Sequence, residues 1–93
     1  MKPLERQHVT IRVSGRVQQV FYRASAKNVA EGLGINGFAQ NNLDGSVTIE
    51  AEGITRVLEE FVRWCETGPA QAEVVHLDLE PGGMQHFTEF QVR

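Results

Sequence analysis

A chain of 93 residues with 41% apolar and 23% charged positions has room for one modest core, and its composition excludes a disordered chain or a coiled coil. No apolar run approaches membrane length, the first six residues lack the apolar stretch of a signal peptide, and the single Cys65 can form no internal disulfide, so the cytoplasm is the expected compartment. A formal charge of −3 argues against general nucleic-acid binding, which draws its affinity from a basic surface.

Residues 1–6 read as a flexible leader to a single domain spanning 1–93. From about Gln7 to Ser14, apolar Val9, Ile11 and Val13 alternate with Thr10, Arg12 and Ser14, the pattern of a half-buried strand. Tyr22, Ala26, Val29, Ala30 and Leu33 then recur at three- and four-residue spacing, one face of a helix. Gly32 and Gly34 end it, one of them in the left-handed conformation that follows a last turn. Two strands, Ile35 to Asn42 and Ser46 to Glu52, flank a turn at Leu43-Asp44-Gly45. In the second of them Val47, Ile49 and Ala51 alternate with Ser46, Thr48, Glu50 and Glu52, so one face is expected to be wet.

Ile54, Val57, Leu58, Phe61 and Cys65 mark a second amphipathic helix, broadened by Trp64 and stopped at Thr67-Gly68-Pro69. Val75, Leu77 and Leu79 alternate in a fourth strand, Pro81-Gly82-Gly83 makes a turn, and Thr88, Phe90 and Val92 alternate in a short last strand. The order β-α-β-β-α-β plus a short C-terminal strand predicts an α/β (α+β) sandwich of ferredoxin-like topology. Two helices with one apolar stripe each would cover one face of an antiparallel sheet.

Between the first strand and the first helix lies Gly15-Arg16-Val17-Gln18-Gln19-Val20-Phe21-Tyr22-Arg23. The first N–H groups of a helix have no intrahelical partner, and no Ser, Thr, Asp or Asn stands between Ser14 and Ser25 to cap them. A bound anion would satisfy them, and so would solvent on an ordinary turn. Charge placement favours the anion. Residues 1–30 hold two Lys and four Arg against Glu5, a formal +5, whereas residues 31–93 hold three Arg against eleven acids, a formal −8.

Little else points to chemistry. Cys65 has the pattern of a core residue, and no Arg closes a loop after it as in a cysteine phosphatase. His8, His76 and His86 fall on different elements without the spacing of a zinc site. Asp44 suits its turn, and the opening loop lacks the Lys-Ser/Thr of a nucleotide-binding P-loop. Such a bare anion cradle can still catalyse phosphoryl transfer, where positioning and charge stabilisation supply most of the effect. A carboxylate leaving group, with a conjugate-acid pKa of about 4, needs no general acid. Acyl phosphates are the substrates this cradle could hydrolyse.

Residues 15–23 resemble the acylphosphatase signature G-x-V-Q-G-V-x-[FY]-R at every fixed position except the second Gly, which is Gln19. Residues 37–47 resemble the family's second signature, G-[FYW]-[AV]-[RKQ]-N-x-x-[DN]-G-x-V. Gly68 to Val74 is similar to its G-P-x-x-A-x-V stretch, and Phe87 to Arg93 to its F-x-x-F-x-[IV]-R ending. The resemblance implies a metal-independent acylphosphate phosphohydrolase without cofactor, a monomer that takes a small acyl phosphate and is inhibited competitively by its inorganic phosphate product. It implies no nucleic-acid or membrane partner. By the same resemblance Arg23 clamps the phosphate and Asn41 orients the attacking water, while Arg16, Val17, Gln18, Gln19, Val20, Phe21 and Tyr22 form the phosphate-binding loop. Phe21 and Tyr22 are expected as core and cleft-wall residues rather than as groups that stack on substrate.

At Gln19 the chain departs from the signature. If that position needs φ > 0, a side chain there costs roughly 1–2 kcal/mol and also crowds the cradle. A catalytically weakened anion-binding or interaction module on the same fold is therefore the alternative. An RNA-binding sheet is a more distant one, because the outward positions of the second hairpin strand are Ser, Thr and Glu rather than aromatic.

Overall fold

The computed structural model describes residues 5–93, as β1 (Arg6–Arg16), α1 (Tyr22–Leu33), β2 (Asn36–Asn41), β3 (Val47–Ile54), α2 (Thr55–Thr67), β4 (Glu73–Gly82) and β5 (Phe90–Val92). The expected leader falls mostly outside the described residues, and Arg6 already belongs to β1. The strands form one sheet in the order β4-β1-β3-β2-β5. The β1–β3, β1–β4 and β2–β3 pairs are antiparallel, as in the expected ferredoxin-like core. The short fifth strand joins β2 in parallel, so the sheet as a whole is mixed.

One face of the sheet carries the core. Ile11 and Val13 of β1, Ala39 of β2 and Val47, Ile49 and Ala51 of β3 pack with Tyr22, Ala26 and Ala30 of α1 and Leu58, Phe61 and Cys65 of α2. Both helices use the apolar stripes that their periodicity marks, except that Ile54, expected on the second, ends β3 and only caps α2. Gly34 ends α1 at φ 72°, its N–H returning to the carbonyls of Ala30 and Glu31, the left-handed stop expected there.

The fourth strand departs from simple alternation. Between Ser14 and Gly15 the register against β4 shifts, so Ser14 faces His76 while Gly15 faces Val74. Val75 is the extra residue of this bulge and is 76% exposed, rather than inward like Leu77. Gly15, at φ 117°, allows the close approach, since a Cβ there would lie 2.2 Å from the Glu73 carbonyl oxygen. Pro81 and Gly82 extend β4 instead of turning, which sets Gly82 opposite His8.

The face opposite the helices is not wholly wet. Residues 83–89 cross one end of it, and beneath them Glu52 and His8 are buried at 0% and 3% exposure. His8 Nδ1 lies 2.7 Å from Glu52 Oε2. The Glu52 carboxylate also accepts the N–H groups of Gln85, at 2.5 Å, and Phe87, at 3.0 Å. The Phe87 ring stacks on His8 and meets Phe38 edge-on. Alternation alone placed Glu52 outside, because it carries no information about a distant segment folding over the strand. Ser46, expected on the same face, is also buried.

Candidate active site

β1 ends at Arg16, and the loop to α1 is anchored by Val17 and Val20, both buried in the core. Between and beyond these anchors the backbone is forced left-handed, with Gln19 at φ 62° and Phe21 at φ 64°. Phe21 is the N-cap of α1, in a left-handed conformation with no side-chain cap bond, and no acid stands in the first turn. The positive end of the helix therefore keeps its N–H donors and its partial charge for whatever lies in front of it.

In front of it is a cleft of about 240 Å³ lined by Val17, Gln19, Phe21, Tyr22, Arg23, Ala24, Asn41 and Val92. Arg23, in the first turn of α1, and Asn41, the last residue of β2, thus share one cavity. A cation at a helix N-terminus opposes the dipole, so an anion between the two would satisfy both. Nη1 of Arg23 donates to the backbone oxygen of Arg93, which holds the side chain toward the end of β5. The side-chain oxygen Oδ1 of Asn41 is buried and has no hydrogen-bond partner among the described residues.

Neighbouring side chains keep the two parts of the site together. Gln18 Nε2 donates to the backbone oxygens of Asn42, at 2.8 Å, and Ser46, at 2.9 Å. Asn42 Nδ2 in turn donates to Ser46 Oγ and Thr48 Oγ1. The Ser46 hydroxyl and N–H both bond Asp44, holding its carboxyl below the usual range, and Arg12 pairs with the same carboxylate. On the other side Tyr22 donates its hydroxyl to the Cys65 carbonyl at 2.7 Å and packs on Trp64, fixing the start of α1 against α2. Burial pushes the Cys65 thiol up to about 12, so it is a core residue and no thiolate nucleophile.

Of the residues expected at the site, Val17, Gln19, Phe21, Tyr22, Arg23 and Asn41 line the cleft, whereas Arg16, Gln18 and Val20 do not. Arg16 is exposed at the end of β1, Gln18 faces the hairpin and Val20 faces the core. Tyr22 is buried and Phe21, 74% exposed, stands in the cleft wall at its rim, so the pair divides between the core and cleft-wall places expected for it. Ala24 and Val92 also line the cleft. Ala24 gave no sign in the sequence beyond following Arg23, and Val92 gave only its place in the C-terminal pattern.

A ferredoxin-like α+β fold, with a cleft lined by Arg23 and Asn41 at the uncapped start of its first helix, is the class that fold and site define. Comparison with known proteins agrees. The acylphosphatase family model matches residues 9–92. An acylphosphatase of Alkalilimnicola ehrlichii is 45% identical over 80 residues, covering 86% of this chain and 90% of that protein. One from Methylococcus capsulatus is 43% identical over 90 residues, 96% of each. The solved structure of an acylphosphatase from Coxiella burnetii superposes with a TM-score of 0.91 at 32% identity, over 95% of this chain and 93% of that one. The chain belongs to the acylphosphatase family, the hydrolases of acyl phosphates that its signatures imply.

Proposed function

We propose that the cleft performs this hydrolysis without a metal or cofactor, backbone N–H groups of the 16–22 loop and the Arg23 guanidinium holding the phosphoryl group and Asn41 orienting the attacking water. The guanidinium stays protonated and offers a fork of donors that matches two phosphate oxygens. Its bond to Arg93 uses one of five N–H donors. Water adds to phosphorus, the bond from phosphorus to the acyl oxygen breaks, and the electron pair leaves with the carboxylate. The proton that water loses passes to a phosphoryl oxygen, and inorganic phosphate is the second product. No acid is needed for a leaving group with a conjugate-acid pKa of about 4.

The observation that carries this reading is that Arg23 of α1 and Asn41 at the end of β2 line one cleft in front of the uncapped helix start. All the groups invoked lie in one chain, so a monomer, a single domain working in the cytoplasm with no nucleic-acid or membrane partner, suffices. The alternative, an anion-binding module with weakened turnover, is supported by the side chain of Gln19 on a left-handed backbone at the cleft wall.

Hydrolysis of benzoyl phosphate with EDTA present tests both. Activity is expected without metal, with binding and turnover lost in Arg23→Ala and mainly turnover lost in Asn41→Ala. Equal rates in wild type and both variants reject the assignment of these residues. Phosphate binding without turnover selects the alternative.

A further inference from the structure

The cleft has a second half that phosphate does not explain. Among the described residues five large apolar side chains are substantially exposed, and two of them, Phe21 at 74% and Val92 at 43%, line this one cavity beside Arg23 and Asn41. Val17 continues the same wall. Folding gains little from Phe21 in this position. Its ring is left in water, and its backbone sits at φ 64°, ψ 23°, a conformation that costs a side-chain-bearing residue roughly 1–2 kcal/mol. A bulky residue at such an angle is an outlier, and outliers of this kind gather where a ligand is held. The left-handed turn points Phe21 away from the core that its neighbours Val20 and Tyr22 enter.

We propose that Phe21, with Val92, recognises the acyl group, and that the preferred substrates carry an uncharged aromatic or bulky aliphatic acyl chain. This inference rests on the acylphosphatase reading above and adds specificity to it. With the phosphoryl group between Arg23 and the start of α1, the acyl substituent leaves the polar end of the cleft and meets the apolar rim. An aromatic acyl ring can stack offset on the Phe21 ring and displace water from both, whereas an acetyl group is too small to cover it. The ring touches the substrate remote from the bond that breaks, so its effect is discrimination between acyl groups.

The test compares kcat/KM for benzoyl and acetyl phosphate in wild type, Phe21→Ala, Phe21→Asn and Phe21→Tyr. Asn tolerates the left-handed backbone, which keeps the test usable if the Ala variant does not fold. Because each variant is compared through the ratio of its two substrates, their intrinsic reactivities cancel. The benzoyl-to-acetyl ratio is expected to fall about three- to tenfold in Phe21→Asn and Phe21→Ala and to be retained in Phe21→Tyr. A ratio unchanged in the Asn and Ala variants, whatever the absolute rates, overturns the proposal. Wild type alone supplies a second measurement: phenylphosphonate should inhibit more strongly than methylphosphonate, and equal inhibition also overturns it. A wild type that hydrolyses neither substrate refutes the enzymatic reading instead, and the phosphonates then report on the rim by binding.

Discussion

The side-chain amide of Gln18 donates to the backbone oxygen of Asn42 at 2.8 Å, joining the loop before α1 to the hairpin that carries Asn41. With the second bond, to the Ser46 oxygen at 2.9 Å, one side chain ties the loop before α1 to both sides of the turn that follows Asn41. If Asn41 orients the attacking water as proposed, Gln18 positions it through the hairpin. Gln18→Ala should lower kcat about tenfold or more with a smaller change in KM, since a displacement of about 1 Å can cost a hundredfold. Two lost bonds should also lower stability by about 1–3 kcal/mol in urea unfolding. Gln18→Glu should be worse than Ala, because it aims a carboxylate at two carbonyl oxygens. Kinetics of the Ala variant equal to wild type would show that the hairpin holds its place alone.

Glu52 organises residues 83–89 in the same way at the other end of the sheet. Its carboxylate gathers the His8 ring and two N–H groups of the crossing segment, and that segment delivers β5 to the edge of β2. Glu52→Ala leaves these donors buried without an acceptor, and breaking such a buried pair costs about 3–5 kcal/mol. Urea unfolding should show a loss of that order. Because Val92 reaches the cleft through β5, the benzoyl preference should weaken with it.

The same carboxylate predicts an acid dependence. Burial raises its pKa, but the Gln85 N–H, the His8 ring and the Phe87 N–H together outweigh this and hold it below the usual range. A group whose folded pKa is lowered stabilises the fold above its unfolded value, near 4.3, and that stability disappears as pH falls through the folded value. Between pH 6 and pH 3 the wild type should therefore lose more stability than Glu52→Gln, measured by urea midpoint. Parallel losses in the two proteins would place the acid sensitivity elsewhere.

Gln19 stands at φ 62° where the family signature has Gly. Gln19→Gly should raise stability by about 1 kcal/mol by relieving the left-handed strain. It should also improve inhibition by inorganic phosphate, since the Gln19 side chain lines the cleft. A variant that is neither more stable nor better at binding phosphate would mean that the loop accommodates the side chain without strain.

Periodicity and turn residues were enough for the element order, both helix faces, the left-handed stop at Gly34 and the ferredoxin-like topology, because each is a local preference written in neighbouring residues. The signatures likewise brought Arg23 and Asn41 forward together. What local preference could not contain was decided by contacts between distant segments. Alternation put Val75 inside and Glu52 outside, yet a bulge opposite Gly15 turned the first outward and the crossing of residues 83–89 buried the second. Phe21 and Tyr22 read together as core and cleft wall, and only the left-handed turn decided that Phe21 takes the rim, beside Val92 from the far end of the chain. Local sequence determines which way a strand or helix presents its side chains, and only tertiary packing determines what comes to lie over them.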